Sequence, residues 1–499
     1  MPSALGDAGR PTELMPFRLF SPATRRRRPR VALIGLDGAD PSLVFDRWAT
    51  DLRTLSSLRR RGLWGELESV VPPDTVTVWS CMMTGEDPGS LGVYGPQGRT
   101  PHPDAGPVAP RLVPAPAPRL WDILAGQGRA AIVLGLPAAE PAAPPAGRAG
   151  RYVAPPELDV EVEEWPRAPV DGGTLRIPAR ARLLEQVCVA TRNRFDRARQ
   201  LLQRRPWDLF VLVETGTGII QSAFWKELDP SHPGHDPGSP FRSAISEYFR
   251  YVDREIGSLL EALGPQTHVL IVSGYGCRPT EGAFCLNEWL IREGYLVLAR
   301  EPDLSRGPVR LDEVRIDWSR TRAWGEGGPY GRIFINLQGR QLQGIVDPAE
   351  YEALRRELAT RLEAMEDETG RRIGTRCFRP QEIYESVQGE APDLIVYAGN
   401  LAWRVIDTVG WDRRHLLLAD AGRGNANPAQ HGLLIYSDLT RKLGGWKLGG
   451  VHLLQIAPTV LHLLGLPIPA GMPRPPISLV VDRRTNRAPL VFASMGRNV

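Results

Sequence analysis

Four short runs of apolar residues, each bounded by glycine or polar residues, mark the hydrophobic pattern of the chain. They lie at residues 31–36, 131–136, 209–213 and 269–272. Their shortness and their lack of polar alternation are typical of strands that are covered on both faces. We therefore expect these runs to form the buried strands of a central sheet.

Between these runs, apolar residues recur at three- and four-residue spacing. The clearest case begins near Phe241 and ends before Gly264, as expected for an amphipathic helix with a glycine stop. Further helices are expected at residues 178–202, 351–365 and 456–464. Strands that alternate with helices predict an α/β fold, with a mostly parallel central sheet and helices on both faces.

The pattern also predicts the domain organisation. Residues 1–29 are rich in Pro and Arg without apolar periodicity, so we expect a disordered leader. Residues 30–475 should form one α/β domain, and residues 476–499 a C-terminal tail. Within the domain, residues 277–390 are expected to form an inserted smaller lobe, with a strand at 332–335, before residues 393–397 return to the main sheet.

Composition narrows the class of protein. With 42% hydrophobic and 24% charged residues among 499, the chain is typical of globular proteins. The net charge of +4 depends on one run, Arg25 to Arg28 with Arg30, which we interpret as a solvated tail; we expect no nucleic-acid partner.

No apolar stretch approaches the roughly 20 residues of a membrane span, so no membrane association is expected. Five cysteines without a Cys-x-x-Cys pair indicate reduced thiols and a cytoplasmic location.

Two side chains stand where chemistry is expected. Asp37 directly follows the first apolar run, and the carboxyl ends of parallel strands are where open α/β sheets bind ligands. Thr75 follows Asp74 and precedes a helical segment, so its hydroxyl is expected to cap that helix, whose amino end would attract phosphate. Taken alone, Asp37 is equally consistent with a turn residue, and Thr75 with a purely structural cap.

Residues in a fixed order change this interpretation. The segments 31–38 and 63–65 are followed by Pro72, Pro73, Thr75, Trp79, Thr84, Gly85, Pro88 and Gly92. This series resembles the amino-terminal signature of the alkaline phosphatase superfamily, in its type I phosphodiesterase and nucleotide pyrophosphatase branch. The family nucleophile lies nine residues before a Thr-Gly pair, here Thr84 and Gly85, which implies Thr75. One departure is Leu91, where the family usually has His.

The resemblance covers about residues 30–475. It continues through Trp121, Asp122 and Leu124, through Phe224 and Trp225, and through segments 286–298, 331–336, 350–354, 391–394 and 458–466. Many separate segments agree in order and spacing, which makes it specific. It implies the alkaline-phosphatase-like fold and a two-zinc site for phosphoric ester hydrolysis.

The six implied metal ligands can be located by the same resemblance. Asp37 is retained, whereas the other positions carry Gly218, Ser222, Gly274, Tyr275 and Pro428. If Thr215 rather than Thr217 marks the second motif, the carboxylate position becomes Gly216, which also lacks a ligand. Glycine and proline side chains cannot coordinate, and a phenol with a pKa of about 10 replaces imidazole poorly. His431 lies near Pro428 as a substitute ligand, although a solvated turn histidine explains it as well.

We therefore expect a pseudoenzyme that keeps the hydrolase fold but has lost its metal site and binds a small molecule or protein partner. Its pocket would be lined by Asp37, Thr75, Gly218, Ser222, Gly274 and Tyr275, with no cofactor. The alternative is an active metal-dependent phosphodiesterase with relocated ligands, two zinc ions and Thr75 as nucleophile. A metal-free transferase or lyase that uses Tyr275 as general acid is a third hypothesis. His102 and the cluster His232, His235 and Asp236 could supply other ligands, although a polar surface loop explains that cluster more simply.

Overall fold

The computed structural model describes residues 28–96, 117–137, 177–232, 234–305, 307–417 and 425–477, and the backbone of three further two-residue strands. The predicted leader and tail lie mostly outside these residues, and so does His102. One backbone pairing joins the two end regions of the chain, since Pro16–Phe17 runs antiparallel to Leu479–Val480.

The strands, in chain order, are β1 Pro16–Phe17, β2 Arg30–Leu36, β3 Leu63–Glu68, β4 Ala131–Leu134, β5 Tyr152–Val153, β6 Leu209–Glu214, β7 Thr267–Ser273, β8 Gly276–Pro279, β9 Gly282–Cys285, β10 Ala323–Glu326, β11 Gly331–Ile335, β12 Arg376–Phe378, β13 Leu394–Tyr397, β14 Trp403–Ile406, β15 His415–Leu417, β16 Ala426–Ala429, β17 His431–Asp438, β18 Trp446–His452 and β19 Leu479–Val480. The four predicted buried strands correspond to β2, β4, β6 and β7.

The helices are α1 Arg53–Arg61, α2 Thr75–Thr84, α3 Pro88–Leu91, α4 Leu120–Gly126, α5 Ile177–Arg204, α6 Gly216–Leu228, α7 Ala244–Leu263, α8 Leu286–Arg292, α9 Tyr351–Glu363, α10 Pro380–Ile383 and α11 Ile456–Leu464. The predicted helices correspond to α5, α7, α9 and α11. Gly465 ends α11 in the left-handed conformation, with φ of 68°, as its position after the last apolar residue predicts.

The central sheet has eight strands in the order β18-β3-β17-β7-β2-β6-β4-β5. Only β17 runs against its neighbours, β3 and β7. Alternate residues of β2 enter different cores: Ala32 and Ile34 pack with α5, α6 and α7, whereas Val31 and Leu33 pack with α2, α4 and α11. The predicted fold, a mostly parallel sheet with helices on both faces, is confirmed.

A smaller lobe lies beside this sheet, with a four-stranded sheet in the order β10-β11-β13-β12. The predicted return of residues 393–397 to the main sheet is wrong, because β13 pairs with β11 and β12 instead. An apolar strand shows that it is buried but not which strand it pairs with. The chain re-enters the main sheet only at β17, which pairs with β3 and β7.

Candidate functional site

The candidate site lies at the carboxyl ends of three neighbouring strands, β2, β6 and β7. Asp37 follows β2 directly, and its backbone N–H donates to the Glu214 carbonyl at the end of β6 (3.0 Å). Gly38 then turns the chain with φ of 63°, and a side chain there would meet the Tyr275 ring. Because these strand ends are adjacent, Asp37 and Tyr275 meet although they are 238 residues apart.

The amino end of α2 closes the site from the other side. Asp74 is the N-cap, and its carboxylate accepts from the Thr77 N–H (3.1 Å). The prediction that Thr75 caps this helix is therefore wrong by one residue. The reason is that Asp74 has the extended backbone of a cap whereas Thr75 is the first helical residue. The Thr75 hydroxyl is consequently free to point at Asp37.

Four side chains form one hydrogen-bonded cluster. Asp37 Oδ2 accepts from Thr75 Oγ1 (3.0 Å) and from Tyr275 Oη (2.8 Å). The Thr75 and Tyr275 hydroxyls also lie 2.7 Å apart. Asp37 Oδ1 accepts from Trp79 Nε1 (2.8 Å). Both oxygens of this carboxylate are thus bonded to protein donors, and Thr75, which is half-buried, is the most accessible member.

The electrostatics of the cluster raise the pKa values of both Asp37 and Tyr275. Asp37 is 4% exposed, and burial raises its pKa to about 6, against the opposing effect of the hydrogen bonds from Trp79, Tyr275 and Thr75. Burial, together with the nearby Asp37 charge, raises the pKa of Tyr275 well above its ordinary value. Asp37 Oδ2 and the hydroxyl oxygens of Thr75 and Tyr275 lie within hydrogen-bond distance of one another. The two hydroxyls supply two protons for these three contacts, and protonation of Asp37 supplies the third.

Two positions identified by the family resemblance lie beside this cluster. A Cβ atom on Gly218 would lie 3.3 Å from Asp37 Oδ2, whereas a Cβ on Gly216 would point at the Tyr248 hydroxyl. Gly218 is therefore the position that faces Asp37, and the alignment on Phe224 and Trp225 is the one consistent with this geometry. Ser222 follows four residues later on α6, half-buried, and its carbonyl accepts from the Asn425 N–H (2.9 Å).

Gly274 faces away from Asp37 into an apolar core. A Cβ atom there would lie 2.2 Å from Val78 Cγ1, 2.7 Å from Leu453 Cδ1 and 3.1 Å from Met82 Cε. Distances below 3.0 Å are essentially never seen for real Cβ atoms. The volume that a side chain at this position would use is therefore already filled by α2 and by the segment before α11.

The remaining expected positions lie on neighbouring strands. Pro428 lies in β16, paired with Cys277 of β8, two residues beyond Tyr275. His431 begins β17, is exposed and pairs with Glu68. Neither residue makes a hydrogen bond with the Asp37 cluster among the described contacts.

The histidines of the loop after α6 form hydrogen bonds with nearby backbone groups. His232 is buried, and its Nδ1 accepts from the Gly234 N–H (3.1 Å). His235 Nδ1 bonds to the Lys226 carbonyl (2.8 Å), and Asp236 accepts from the Gly238 N–H (2.8 Å). Burial lowers the pKa of His232, so the ring is neutral at pH 7. The expectation of an entirely surface loop is wrong for His232, which is 4% exposed.

Sequence reasoning missed the roles of Trp79, Asp74 and Tyr330. Trp79 reaches Asp37 because Gly35 leaves room for its ring: a Cβ on Gly35 would lie 2.2 Å from Trp79 Cη2. A glycine inside a buried strand was the available signal. Tyr330 donates to Asp74 Oδ2 (3.0 Å) from the smaller lobe, a contact for which the sequence carries no signal.

The residues around Asp37 do not fit the two zinc ions that the family resemblance implies. Zinc is bound by thiolate, imidazole and carboxylate, and Asp37 alone among the six positions offers one of these. Its two oxygens already accept three hydrogen bonds. Within the described ranges, no group of three or more His, Cys, Asp or Glu side chains is arranged to hold a metal ion.

Comparison with known proteins places the chain in a family. The human ectonucleotide pyrophosphatase / phosphodiesterase 5 has a similar structure, with a TM-score of 0.51, 12% identity, and coverage of 88% of this chain and 96% of that one. An inactive variant of the murine protein, in complex with AMP, gives the same values. At this identity the likeness shows the fold alone.

No curated protein is significantly similar in sequence. None of the described helices is both long and apolar enough to cross a membrane. The sequence profile of type I phosphodiesterases and nucleotide pyrophosphatases matches residues 31–432. The chain therefore belongs to the type I phosphodiesterase / nucleotide pyrophosphatase family.

Proposed function

We propose that this protein is a non-catalytic member of its family, which uses the retained fold to bind a small molecule or a protein partner. The observation that carries the proposal is the cluster of Asp37, Thr75, Tyr275 and Trp79. In this cluster, Tyr275 Oη lies 2.8 Å from Asp37 Oδ2 at the position that the resemblance gives to a metal-binding histidine. A hydrogen-bonded phenol in that place stabilises Asp37 without any metal.

The energetics of phosphoric ester hydrolysis support this proposal. Uncatalysed hydrolysis is so slow that an enzyme lowers the barrier by on the order of 20 kcal/mol or more. Two metal ions contribute by polarising the phosphoryl oxygens and by lowering the pKa of the nucleophile. A single carboxylate with three hydrogen bonds and a neutral threonine supply neither effect.

The chemistry of the cluster indicates the kind of ligand. It carries one carboxylate with a raised pKa, a phenol and a hydroxyl, so it favours a neutral, aromatic ligand over a free phosphate. The murine relative in complex with AMP makes adenosine and AMP the first probes. In a thermal-shift titration, we expect adenosine to raise Tm more than AMP does. A larger shift with AMP would contradict the neutral-ligand assignment.

The five free thiols, at Cys81, Cys188, Cys277, Cys285 and Cys377, support a cytoplasmic location as part of the same proposal. Labelling of all five by a thiol reagent in denatured, freshly lysed material is the expected result. Protection of any of them until a reductant is added would contradict it.

The decisive test measures metal and turnover together. Protein purified without chelator is analysed for zinc, manganese and magnesium, and hydrolysis of bis(4-nitrophenyl) phosphate is followed with each metal added. We expect far less than one metal per chain, and the same background rate for the native protein and for Thr75→Ala.

One observation favours the alternative, an active enzyme with relocated ligands. Thr75 Oγ1 is half-buried at the amino end of α2, 3.0 Å from Asp37 Oδ2, which is a suitable place for a nucleophile. About two zinc ions per chain, with turnover abolished by Thr75→Ala, would establish this alternative and overturn the non-catalytic assignment.

A further inference from the structure

The end of the central sheet opposite the candidate site carries a concentration of positive charge. We call it the basic face and define it by ten residues at the amino ends of the parallel strands: Arg28, Arg30, Arg60, Arg61, Arg129, Arg204, Arg205, Arg441, Lys442 and Lys447. They come from six separate stretches of the chain, so only the fold brings them to one end.

Strand register places these stretches side by side. Arg30 of β2 pairs with Thr267, and the next residue, Val31, pairs with Leu209 at the start of β6. On the other side, Leu63 of β3 pairs with Trp446 of β18. The seven strands from β18 to β4, at about 4.8 Å spacing, extend the face over about 29 Å.

Backbone contacts connect the loops at this end of the sheet. Arg61 donates to the Leu439 carbonyl (3.3 Å), and its own carbonyl accepts from the Leu443 N–H (2.6 Å). Arg129 donates to the Leu464 carbonyl at the end of α11 (3.1 Å). The loop after β17, the end of α1 and the end of α11 are therefore held at this same end.

Most of these cations are exposed, and eight of them form no ion pair among the described residues. The exceptions are Arg129 with Asp208 (3.4 Å) and Arg441 with Asp438 (2.6 Å). Among the described residues, acidic side chains at this end of the sheet include those two aspartates and Glu261 near the end of α7. The face therefore has a large excess of positive charge.

Helix dipoles do not cancel this excess. Five helices, α1, α4, α5, α7 and α11, end at this face, and each carboxyl end carries about half a negative charge. Those ends and the three acidic side chains together leave an excess of about four positive charges. If these basic residues served only to offset the helix ends, their positive charge would not exceed the negative charge of the helix dipoles by this margin.

Half-buried apolar side chains lie among the cations. Leu443, which directly follows Lys442, and Trp446, which directly precedes Lys447, lie in and directly after the turn that precedes β18. Tryptophan and aliphatic residues set among Arg and Lys are typical of surfaces that sit at the headgroup level of a bilayer. The aromatic faces of Trp64 are already covered, by Arg59 at 3.7 Å and by Lys447 at 5.4 Å.

We propose that the basic face docks this protein on an anionic lipid surface, such as one that contains phosphatidylserine. The charge attracts the headgroups, and Trp446 and Leu443 contact the interface. Single-stranded nucleic acid is less well matched, because single strands are bound through open aromatic faces, and those of Trp64 are occupied. The inference departs from the sequence-based expectation of no membrane association and is independent of the proposed function.

The test is co-sedimentation of the full chain with vesicles of phosphatidylcholine containing 30% phosphatidylserine. The variant Arg60→Gln/Arg204→Gln/Arg205→Gln/Lys442→Gln removes four exposed cations without ion pairs. We expect the native chain to bind these vesicles, to ignore pure phosphatidylcholine and to be released by 0.5 M salt. The variant should bind at least tenfold more weakly.

A matched control removes the same number of exposed cations elsewhere, as Arg182→Gln/Arg300→Gln/Arg320→Gln/Arg356→Gln. This control should bind like the native chain, and both variants should keep the native Tm. Equal binding by the two variants, or no binding by the native chain, would overturn the proposal. Tighter binding to a 30-base-pair DNA duplex than to the vesicles, lost in the first variant, would overturn the lipid assignment in favour of nucleic acid.

Discussion

The two halves of the candidate site differ in what the fold has kept. On the side of β2 and α2, Asp37, Thr75 and Trp79 stand where the family resemblance places them, and they are joined by hydrogen bonds of 2.8 to 3.0 Å. On the side of β6 and β7, Gly218 and Gly274 carry no side chain, and Tyr275 reaches across to Asp37 at 2.8 Å.

The difference between these halves teaches that residues at the positions given by a family resemblance can be held entirely by contacts within the protein. In the first half, each polar side-chain atom of Asp37, Thr75 and Trp79 has a partner from the protein, which satisfies these groups. In the second half, the space beside Gly274 is filled by apolar side chains. The second half is joined to the first by Tyr275, which donates a hydrogen bond to Asp37.

The largest expected effect comes from restoring a carboxylate to the altered half. Gly274→Asp would place its Cβ 2.2 Å from Val78 Cγ1 and bury an unpaired charge, so we expect a loss of about 4 kcal/mol or more in unfolding free energy. Urea denaturation measures this loss.

The matched control for that substitution is Gly449→Asp, where a Cβ would meet nothing within 4 Å. Its effect should stay within about 0.5 kcal/mol. A Gly274→Asp protein that unfolds like the native chain and binds zinc would break the contrast between the two halves.

The next effect concerns the pH dependence of stability. The pKa of Asp37 is raised from 3.8 to about 6 in the folded protein, so the folded state binds this proton more tightly than the unfolded state does. The contribution of Asp37 to the free energy of unfolding is fully present below about pH 4. It is lost as the pH rises through about 6, by about 3 kcal/mol in all.

Asp37→Asn removes this titration, and its amide can still accept from Trp79. The difference in unfolding free energy between the variant and the native chain should therefore grow in favour of Asn between pH 4 and pH 8. A difference that is constant with pH would mean that Asp37 does not carry the raised pKa.

A smaller effect is expected for Tyr275→Phe. The substitution keeps the ring and removes the hydroxyl that contacts Asp37 and Thr75, which should cost about 2 kcal/mol because a buried carboxylate loses a donor. Tyr384→Phe is the control, since the Tyr384 phenol donates only to the Val71 carbonyl (2.6 Å), and it should cost about half as much. Equal costs would show that Tyr275 does not stabilise Asp37.

The smallest effect is expected for Thr75→Ala. Thr75 is not the cap of α2, so its loss should cost about 1 kcal/mol, for its hydrogen bonds alone. Asp74→Ala removes the cap and the partner of Tyr330 and should cost more, up to about 2 kcal/mol. If Thr75→Ala lowered Tm more than Asp74→Ala did, Thr75 rather than Asp74 would be the cap of α2.

The sequence predicted the elements that depend on local pattern. The buried strands and the helices α5, α7, α9 and α11 were found because apolar spacing is a property of neighbouring residues. The same pattern could not choose between Asp74 and Thr75 as cap, since both residue types cap helices. Nor could it tell that β13 pairs inside the smaller lobe.

Contacts between distant parts of the chain were the least predictable. Through the family resemblance, the sequence placed Asp37, Thr75 and Tyr275 in one pocket, but it did not predict the hydrogen bonds among them, since Asp37 and Tyr275 are more than 200 residues apart. The basic face was invisible for the same reason. The sequence shows the arginine run near the start of the chain. Arg60, Arg204 and Lys442 come to the same end of the sheet only when the chain folds.

The packing around Gly274 also bears on the history open to this protein. Val78, Met82 and Leu453 occupy the volume that an acidic side chain would need, and they belong to α2 and to the segment before α11. With this core, one codon change at position 274 cannot introduce a carboxylate without a large loss of stability, because helix, loop and strand would have to change together.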